Sequence, residues 1–389
     1  MMDAPSLPDP DPSELERSRR LSALLRAEIA AAGGVLGFDR FMQLALYAPG
    51  LGYYAADNAI FGAGGDFRTA AEAGELFAAC CARQCADILA ETAGEVVEFG
   101  AGSGRFAAHL LSYLARIEVR PRRYHIVEAS DTLAARQRGW LAAQPAAQGV
   151  EFVWHAQSLR KPVKGVVIAN EVLDAFPVAR FVVRGARVDE LAVTVCGDSF
   201  AWCARPNPSL PAALRGLAAD CGDGYVSEYC AQVSPWLNEL ANMLVEGIIL
   251  VCDYGYPRHE YFHPARRSGT LKCHYRHRVH DDPFFLPGLQ DITAAVDFTA
   301  LADVASACGL TVAGYTTQAH FLLACGIEQA LACGSGDALP NYRLAQEAKL
   351  LLLPGGMGQT CKVMALATRA WAPLRGFVRD ERQRLMDFA

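Results

Sequence analysis

Short apolar runs alternating with helical segments dominate the middle of the chain, and they predict a parallel sheet. Glu95 to Phe99, Arg123 to Val127, Val150 to Trp154 and Val166 to Ala169 read as strands, with helices over Arg105 to Leu114 and Ser130 to Ala143. Strands that are apolar throughout, rather than alternating, belong in sheets covered on both faces. Ile248 to Cys252, between Gly247 and Asp253, continues the series. Phe298 to Cys308 then predicts a helix, Leu310 to Tyr315 a strand, and Lys362 to Thr368 a last edge strand. Upstream, Ser13 and Glu16 make an S-x-x-E capping box before Leu21, Leu24, Leu25 and Ile29, a helical face that ends at Gly33-Gly34. Glu75 to Glu91 reads as a second helix. Between them, Tyr47 to Thr69 is crowded with glycines and rings, either a backbone that approaches something closely or an irregular connection. Phe181 to Val183, Leu191 to Val195 and Phe200 to Trp202 have period two instead, and predict an antiparallel insertion on the open side of the sheet.

The first strand runs into Glu98-Phe99-Gly100-Ala101-Gly102-Ser103-Gly104-Arg105 and a helix. In a doubly wound sheet that turn is a ligand site, because the strand's carboxyl end meets the positive end of a helix. Alternate glycines let a ligand lie nearly on the main chain. A GxGxxG dinucleotide fingerprint needs glycine at 105, where Arg105 stands. Glu98 is placed to accept from an ammonium group or to organise the loop. Glu128, ending the second strand, is placed to accept hydrogen bonds from both hydroxyls of a ribose. Acidic-GxGxG followed by an acidic end of the next strand is similar to the class I methyltransferase pattern. It implies an α/β fold with a Rossmann-like seven-stranded sheet and S-adenosyl-L-methionine as cofactor. Gln157, past the third strand, is the expected adenine neighbour, with a plain polar loop as the alternative. Asn170 and Thr69 complete the expected cofactor contacts.

After the fourth strand comes Asn170-Glu171-Val172-Leu173-Asp174-Ala175-Phe176-Pro177. Glu171 and Asp174, three apart on an opening helical turn, would share a face and hold a guanidinium in a fork. Helix capping by Asn170 and Asp174 is the alternative. Asp253-Tyr254-Gly255-Tyr256 follows another core strand. Tyr254 and Tyr256 are candidates to wall a cation through their ring faces, and Asp253 either binds substrate or satisfies loop amides. His274, His277 and His280 recur every three residues ahead of Asp281 and Asp282, but they read as a solvated or substrate-facing loop, with no metal expected.

Composition narrows the class. The chain has 389 residues, 52% hydrophobic and 20% charged, so a sizeable core can form. A formal net charge of -6 argues against a nucleic-acid coat protein. The 13 cysteines are scattered without a CxxC, as expected of small apolar residues in a reducing cytosol. No apolar stretch is long enough to span a bilayer, so no membrane insertion is expected. Residues 1–12, rich in Pro and Asp, resemble neither a secretory signal nor a mitochondrial presequence, which points to a bacterial cytoplasmic protein.

Several longer motifs resemble the MidA-like family: Gly64-Gly65-Asp66-Phe67-Arg68-Thr69-Ala70-Ala71-Glu72 with Glu75-Leu76-Phe77, VEFGAGSGR, ANEVLDAFPV, Val251 to Tyr256, and Gly269-Thr270-Leu271-Lys272-Cys273 with Pro287-Gly288-Leu289-Gln290-Asp291-Ile292-Thr293. The similarity covers roughly residues 38 to 368. That family comprises bacterial proteins and a mitochondrial methyltransferase needed for assembly of respiratory complex I. The resemblance implies methylation of a protein arginine on a complex I subunit. Two rivals stay open: methylation of a small metabolite, and a non-enzymatic assembly factor retaining the fold. The expected organisation is a disordered tail (1–12), a helical cap with the glycine-aromatic loop (13–92), a core (93–368) with insertions at about 178–235 and 256–297, and a C-terminal tail (369–389). The segment from Tyr47 to Phe67 would serve as a lid or as a homodimer interface.

Overall fold

The computed structural model describes residues 7–56, 74–157, 159–332 and 338–386. The chain forms two compact units, each drawn from separated segments. Met1–Phe67, Ala175–Gln232 and His259–Ala295 make one; Arg68–Asp174, Val233–Arg258 and Val296–Ala389 make the other.

The second unit holds the predicted sheet. Its seven long strands are β1 (Glu95–Phe99), β2 (Arg123–Val127), β3 (Glu151–His155), β4 (Val163–Asn170), β5 (Leu244–Tyr256), β6 (Thr311–Thr317) and β7 (Cys361–Ala367). They lie in the order β6-β7-β5-β4-β1-β2-β3, the reversal of order falling beside β1. All neighbours are parallel except β7, which is antiparallel to both β5 and β6. The class I expectation is met. The helices of use below are α1 (Leu76–Thr92), α2 (Arg105–Arg116) and α3 (Asp131–Ala142). Val96, Ile126, Val166, Ile168, Ile248 and Leu250 from the strands pack with Phe77, Cys81, Cys85 and Leu110 from α1 and α2. The cysteines of α1 are core residues, and burial pushes the Cys80 thiol up to about 12.

Two glycines set how closely the middle strands enter the sheet. Gly165 of β4 pairs with Gly247 of β5, and both have left-handed φ, 125° and 148°. A Cβ on Gly247 would fall on the carbonyl oxygen of Gly165, and one on Gly165 on that of Glu95 in β1. Side chains there would force three adjacent strands apart.

Some expectations are corrected. Lys362–Thr368 is not an edge strand: β7 sits between β5 and β6 with every residue buried, as the apolar run Val363 to Ala367 allows. The residues after it are packed as well, with Leu374, Phe377 and Leu385 buried and Phe377 5.6 Å from Phe321.

In the first unit the N-terminal helix is Pro12–Ala31, two residues earlier than the Ser13–Glu16 box implies. Pro12 occupies the first helical position, where its missing N–H costs nothing, and the Asp11 amide donates to Glu14 at 2.8 Å. A helix over Phe38–Tyr47, unassigned from sequence, follows; Phe38, Phe41, Met42, Ala45 and Leu46 are its buried face. The antiparallel insertion is present: Val35–Leu36, Arg187–Cys196, Ala179–Arg184 and Val226–Tyr229 form a sheet, with Ser199–Arg205 on Arg187–Cys196. The histidine-rich run is a hairpin rather than a loop. Lys272–Tyr275 pairs with Arg278–His280 through Arg276 and His277, both at positive φ. Among the described residues no helix is long and apolar enough to cross a membrane.

Gly247→Ala should therefore lower the melting temperature by ~5 °C or more through strain and backbone overlap. Gly139→Ala is the control. It lies within α3 with nothing within 4 Å of a new Cβ, and should be neutral or gain up to about 1 kcal/mol. Equal melting temperatures for both variants would refute the close-approach account.

Candidate active site

The loop after β1 is shaped by its glycines. Gly100, Gly102 and Gly104 all have left-handed φ, 62°, 52° and 83°. The Gly100 amide still donates to Val127 of β2 at 3.0 Å, and Gly104 closes the turn onto Ala101 at 2.7 Å before α2 begins at Arg105. Gly100 is exposed and Gly102 half-buried, so main chain rather than side chain forms this surface. Glu98, in contrast, is buried and accepts the Tyr124 hydroxyl at 2.7 Å. That contact ties β1 to β2.

Glu128 stands half-buried at the end of β2. Burial raises its pKa, opposed by hydrogen bonds from Ser130, Gln137 and Ala129. Its Oε1 accepts the Ser130 amide at 2.9 Å and its Oε2 the Gln137 side-chain amide at 3.0 Å. Each carboxylate oxygen accepts about two hydrogen bonds, so with three donors the carboxylate retains acceptor capacity for a ligand's hydroxyl.

Beyond β4, the chain from Glu171 to Asp174 does not form the expected helical turn. Glu171 has φ 51°, a left-handed backbone that is uncommon outside glycine, and its amide donates to Cys252 at 2.8 Å. The next amides find their acceptor in a side chain. Asp253 Oδ2 accepts from Val172 at 3.1 Å, Leu173 at 2.9 Å and Asp174 at 3.4 Å, while Oδ1 accepts from Tyr254 at 2.8 Å. Asp253 is wholly buried, so of its two expected roles the contacts are those of satisfying loop amides. Burial first, then Asp174 and Glu171, push its carboxyl well above the usual carboxylate range. Glu171 is half-buried and takes a long hydrogen bond (3.4 Å) from the Asn170 side chain, and Asp174 is buried. Tyr254 is half-buried, its hydroxyl pushed up by burial and then by Glu171. Tyr256 already carries a cation, Lys362 Nζ lying 5.5 Å from its ring centroid.

The structure thus brings Glu98, Gly100, Gly102, Gly104 and Glu128 to neighbouring strand ends, and Asn170, Glu171, Asp174, Asp253 and Tyr254 to the ends of β4 and β5. Gln157 lines a cavity of about 850 Å³ with Arg160, His155 and Glu95. That cavity includes the first residues of β1 to β4, whereas the glycine loop and Glu128 lie past the last residues of their strands. Thr69 lies outside the described residues. The Gly269-Thr270 motif surrounds buried Glu228, whose Oε1 accepts the Thr270 amide and hydroxyl, both at 2.5 Å.

Comparison with known proteins agrees with this geometry. A family described as S-adenosyl-L-methionine-dependent methyltransferases matches residues 80–316. The chain belongs to that family. A protein from Burkholderia thailandensis, crystallised bound to S-adenosyl-homocysteine, is 41% identical over 98% of this chain and 100% of its own, with a TM-score of 0.92. Curated relatives are more distant. The Caenorhabditis elegans protein named protein arginine methyltransferase NDUFAF7 homolog, mitochondrial, is 27% identical over 90% of this chain and 87% of its own. The Danio rerio protein arginine methyltransferase NDUFAF7 is 26% identical over 87% and 85%.

The methyltransferase uses S-adenosyl-L-methionine, and its residues fit that cofactor: an exposed glycine main chain before a helix N-terminus, and a carboxylate with open acceptor sites on the next strand. Sequence reading gave no role to three residues that hold loop and helix starts in this unit. Gln137 is buried on α3 and joined to Gly102 and Glu128. Asp297 caps the helix Phe298–Ala307 through Ala300 at 3.0 Å and pairs with Arg258 at 3.4 Å. Glu347 accepts the Leu76 amide at the start of α1 at 2.7 Å, and burial pushes it up to about 7. Asp297 lies just before an apolar helical run, a signal the sequence contained. Gln137 and Glu347 had no such local cue.

Gly102→Val should abolish S-adenosyl-L-methionine binding, since φ 52° strains a β-branched residue and its side chain would cover the loop. Glu128→Ala should weaken binding by about 10–100-fold, the worth of one or two charge-assisted hydrogen bonds. Titration calorimetry reads both; near-native affinity in either variant removes that residue from the cofactor site.

Proposed function

We propose that this methyltransferase transfers a methyl group to a side-chain nitrogen of a protein arginine, and that its target is a subunit of respiratory complex I. The observation that carries the reading is the carboxylate group at the ends of β4 and β5. Asp174 and Glu171 both act on buried Asp253, so three carboxyl groups converge at these strand ends. A guanidinium is a cation with the planar donors that carboxylates receive in pairs. The naming of the curated relatives as protein arginine methyltransferases supports the same substrate class.

The cofactor supplies an electrophilic methyl group on a sulfonium sulfur. Asp253 keeps the Glu171–Asp174 turn in its irregular path, and Glu171 and Asp174 orient the guanidinium. As the nitrogen forms its bond to the methyl carbon and the carbon–sulfur bond breaks, the nitrogen's surplus proton passes to Glu171. Rate gain comes from alignment and from carboxylates already in place before the positive charge redistributes.

A small-metabolite substrate would use the same carboxylates, whereas an assembly factor acting by binding alone would need neither them nor the cofactor. Glu171→Gln should lower methyl incorporation from labelled cofactor into an arginine-containing subunit by about 100-fold while changing cofactor affinity less than about threefold. The measurement is mass spectrometry of complex I subunits from cells lacking the protein and complemented with each form. Methylarginine that persists without the protein removes the arginine reading. Complex I assembly rescued fully by both Glu171→Gln and Gly102→Val would favour the binding-only alternative.

A further inference from the structure

Helix α3 buries Leu133, Ala134, Gln137 and Leu141, spaced as one helical face. Three are apolar. The fourth is an amide with no exposed surface, and an amide buried without hydrogen-bond partners is destabilising. It makes three hydrogen bonds. Gln137 Nε2 donates to the Gly102 carbonyl at 3.0 Å and to Glu128 Oε2 at 3.0 Å, and Gln137 Oε1 accepts the Trp154 indole N–H at 3.1 Å. The partners dictate which way the amide faces. An indole N–H only donates, while a carbonyl and a carboxylate only accept, so the flipped amide would lose all three bonds.

We propose that Gln137 is a positioning residue for the cofactor: it fixes the Glu128 carboxylate against the glycine loop so that both meet the ribose end of S-adenosyl-L-methionine. Gly102 follows β1, Glu128 ends β2 and Trp154 lies in β3, so one side chain ties three successive strand ends together. A leucine would fill the helix face as well and would leave Glu128 with only the Ser130 side of its carboxylate held. What the amide adds is direction. With Oε1 held by Ser130 and Oε2 by Gln137, the carboxylate plane is set from both sides, and its remaining acceptor directions are set with it.

The proposal rests on the reading that Glu128 takes the ribose hydroxyls, and the test separates the two. Calorimetry would compare S-adenosyl-homocysteine with its 2′-deoxy analogue on the full-length wild type, Gln137→Met and Leu141→Ala. The wild type should prefer the intact ribose by about tenfold, one hydrogen bond to a charged group. Gln137→Met should bind S-adenosyl-homocysteine about tenfold more weakly and discriminate the two ligands by less than about threefold. Leu141→Ala, a packing change on the same helix face, should lower the melting temperature yet keep the discrimination. Gln137→Glu keeps the acceptor for Trp154 and loses both donors, and should lose discrimination as Gln137→Met does; it also covers failure of the methionine variant to fold. A wild type that does not discriminate overturns the ribose reading of Glu128, and this proposal with it. A discriminating wild type with equal discrimination in Gln137→Met, or equal loss for both ligands, overturns the positioning role alone.

Discussion

The buried carboxylate of Asp253 is the constraint on which the candidate site depends. Where β4 ends, the chain must leave the sheet, and the amides of Val172, Leu173 and Asp174 have no strand to pair with and no helix to continue. A buried amide without an acceptor is costly, so the turn exists only because a side chain from the end of β5 supplies one. That side chain is eighty residues away from Leu173, and the parallel pairing of β4 with β5 brings it there. The left-handed backbone at Glu171 follows from the same arrangement. Strain of this kind persists when the surroundings determine it more than once, as the Cys252 and Asp253 contacts do here.

The cofactor side is held by a similar principle with a neutral group. Gln137 reaches the glycine loop, Glu128 and Trp154 from beneath, as Asp253 reaches the loop after β4. In both places an irregular segment past a strand end is kept in shape by one buried polar side chain from another element. The chemistry can then sit on short loops while the rigidity comes from the sheet.

The strands β1 to β5 were legible because each has a short, largely apolar run at its centre, and the glycine loop because its glycines and acidic residues lie within one local stretch. The helix Phe38–Tyr47 was legible in principle, since Phe38, Phe41, Met42, Ala45 and Leu46 have helical spacing. What sequence could not show was pairing over distance. Lys362–Thr368 looked terminal and therefore peripheral, yet β7 is an inner strand, because its neighbours are decided by the whole sheet. Glu171 to Asp174 suggested a helical turn because the acceptor that replaces helical carbonyls is remote in the chain. Gln137 read as one polar position among many on an amphipathic helix, and only its three partners distinguish it from a solvated one.

The inner position of β7 also governs the order of events during synthesis. β5 and β6 are translated well before it, yet each borders β7 rather than the other, so both wait with an open flank until Cys361 to Ala367 emerge. From the synthesis of β6 until β7 emerges, the nascent chain therefore carries both strand edges unpaired with their eventual neighbour. Loss of the chain from Cys361 onward would leave them open permanently, and quality-control proteases would meet a chain whose glycine loop is already made but whose sheet cannot close.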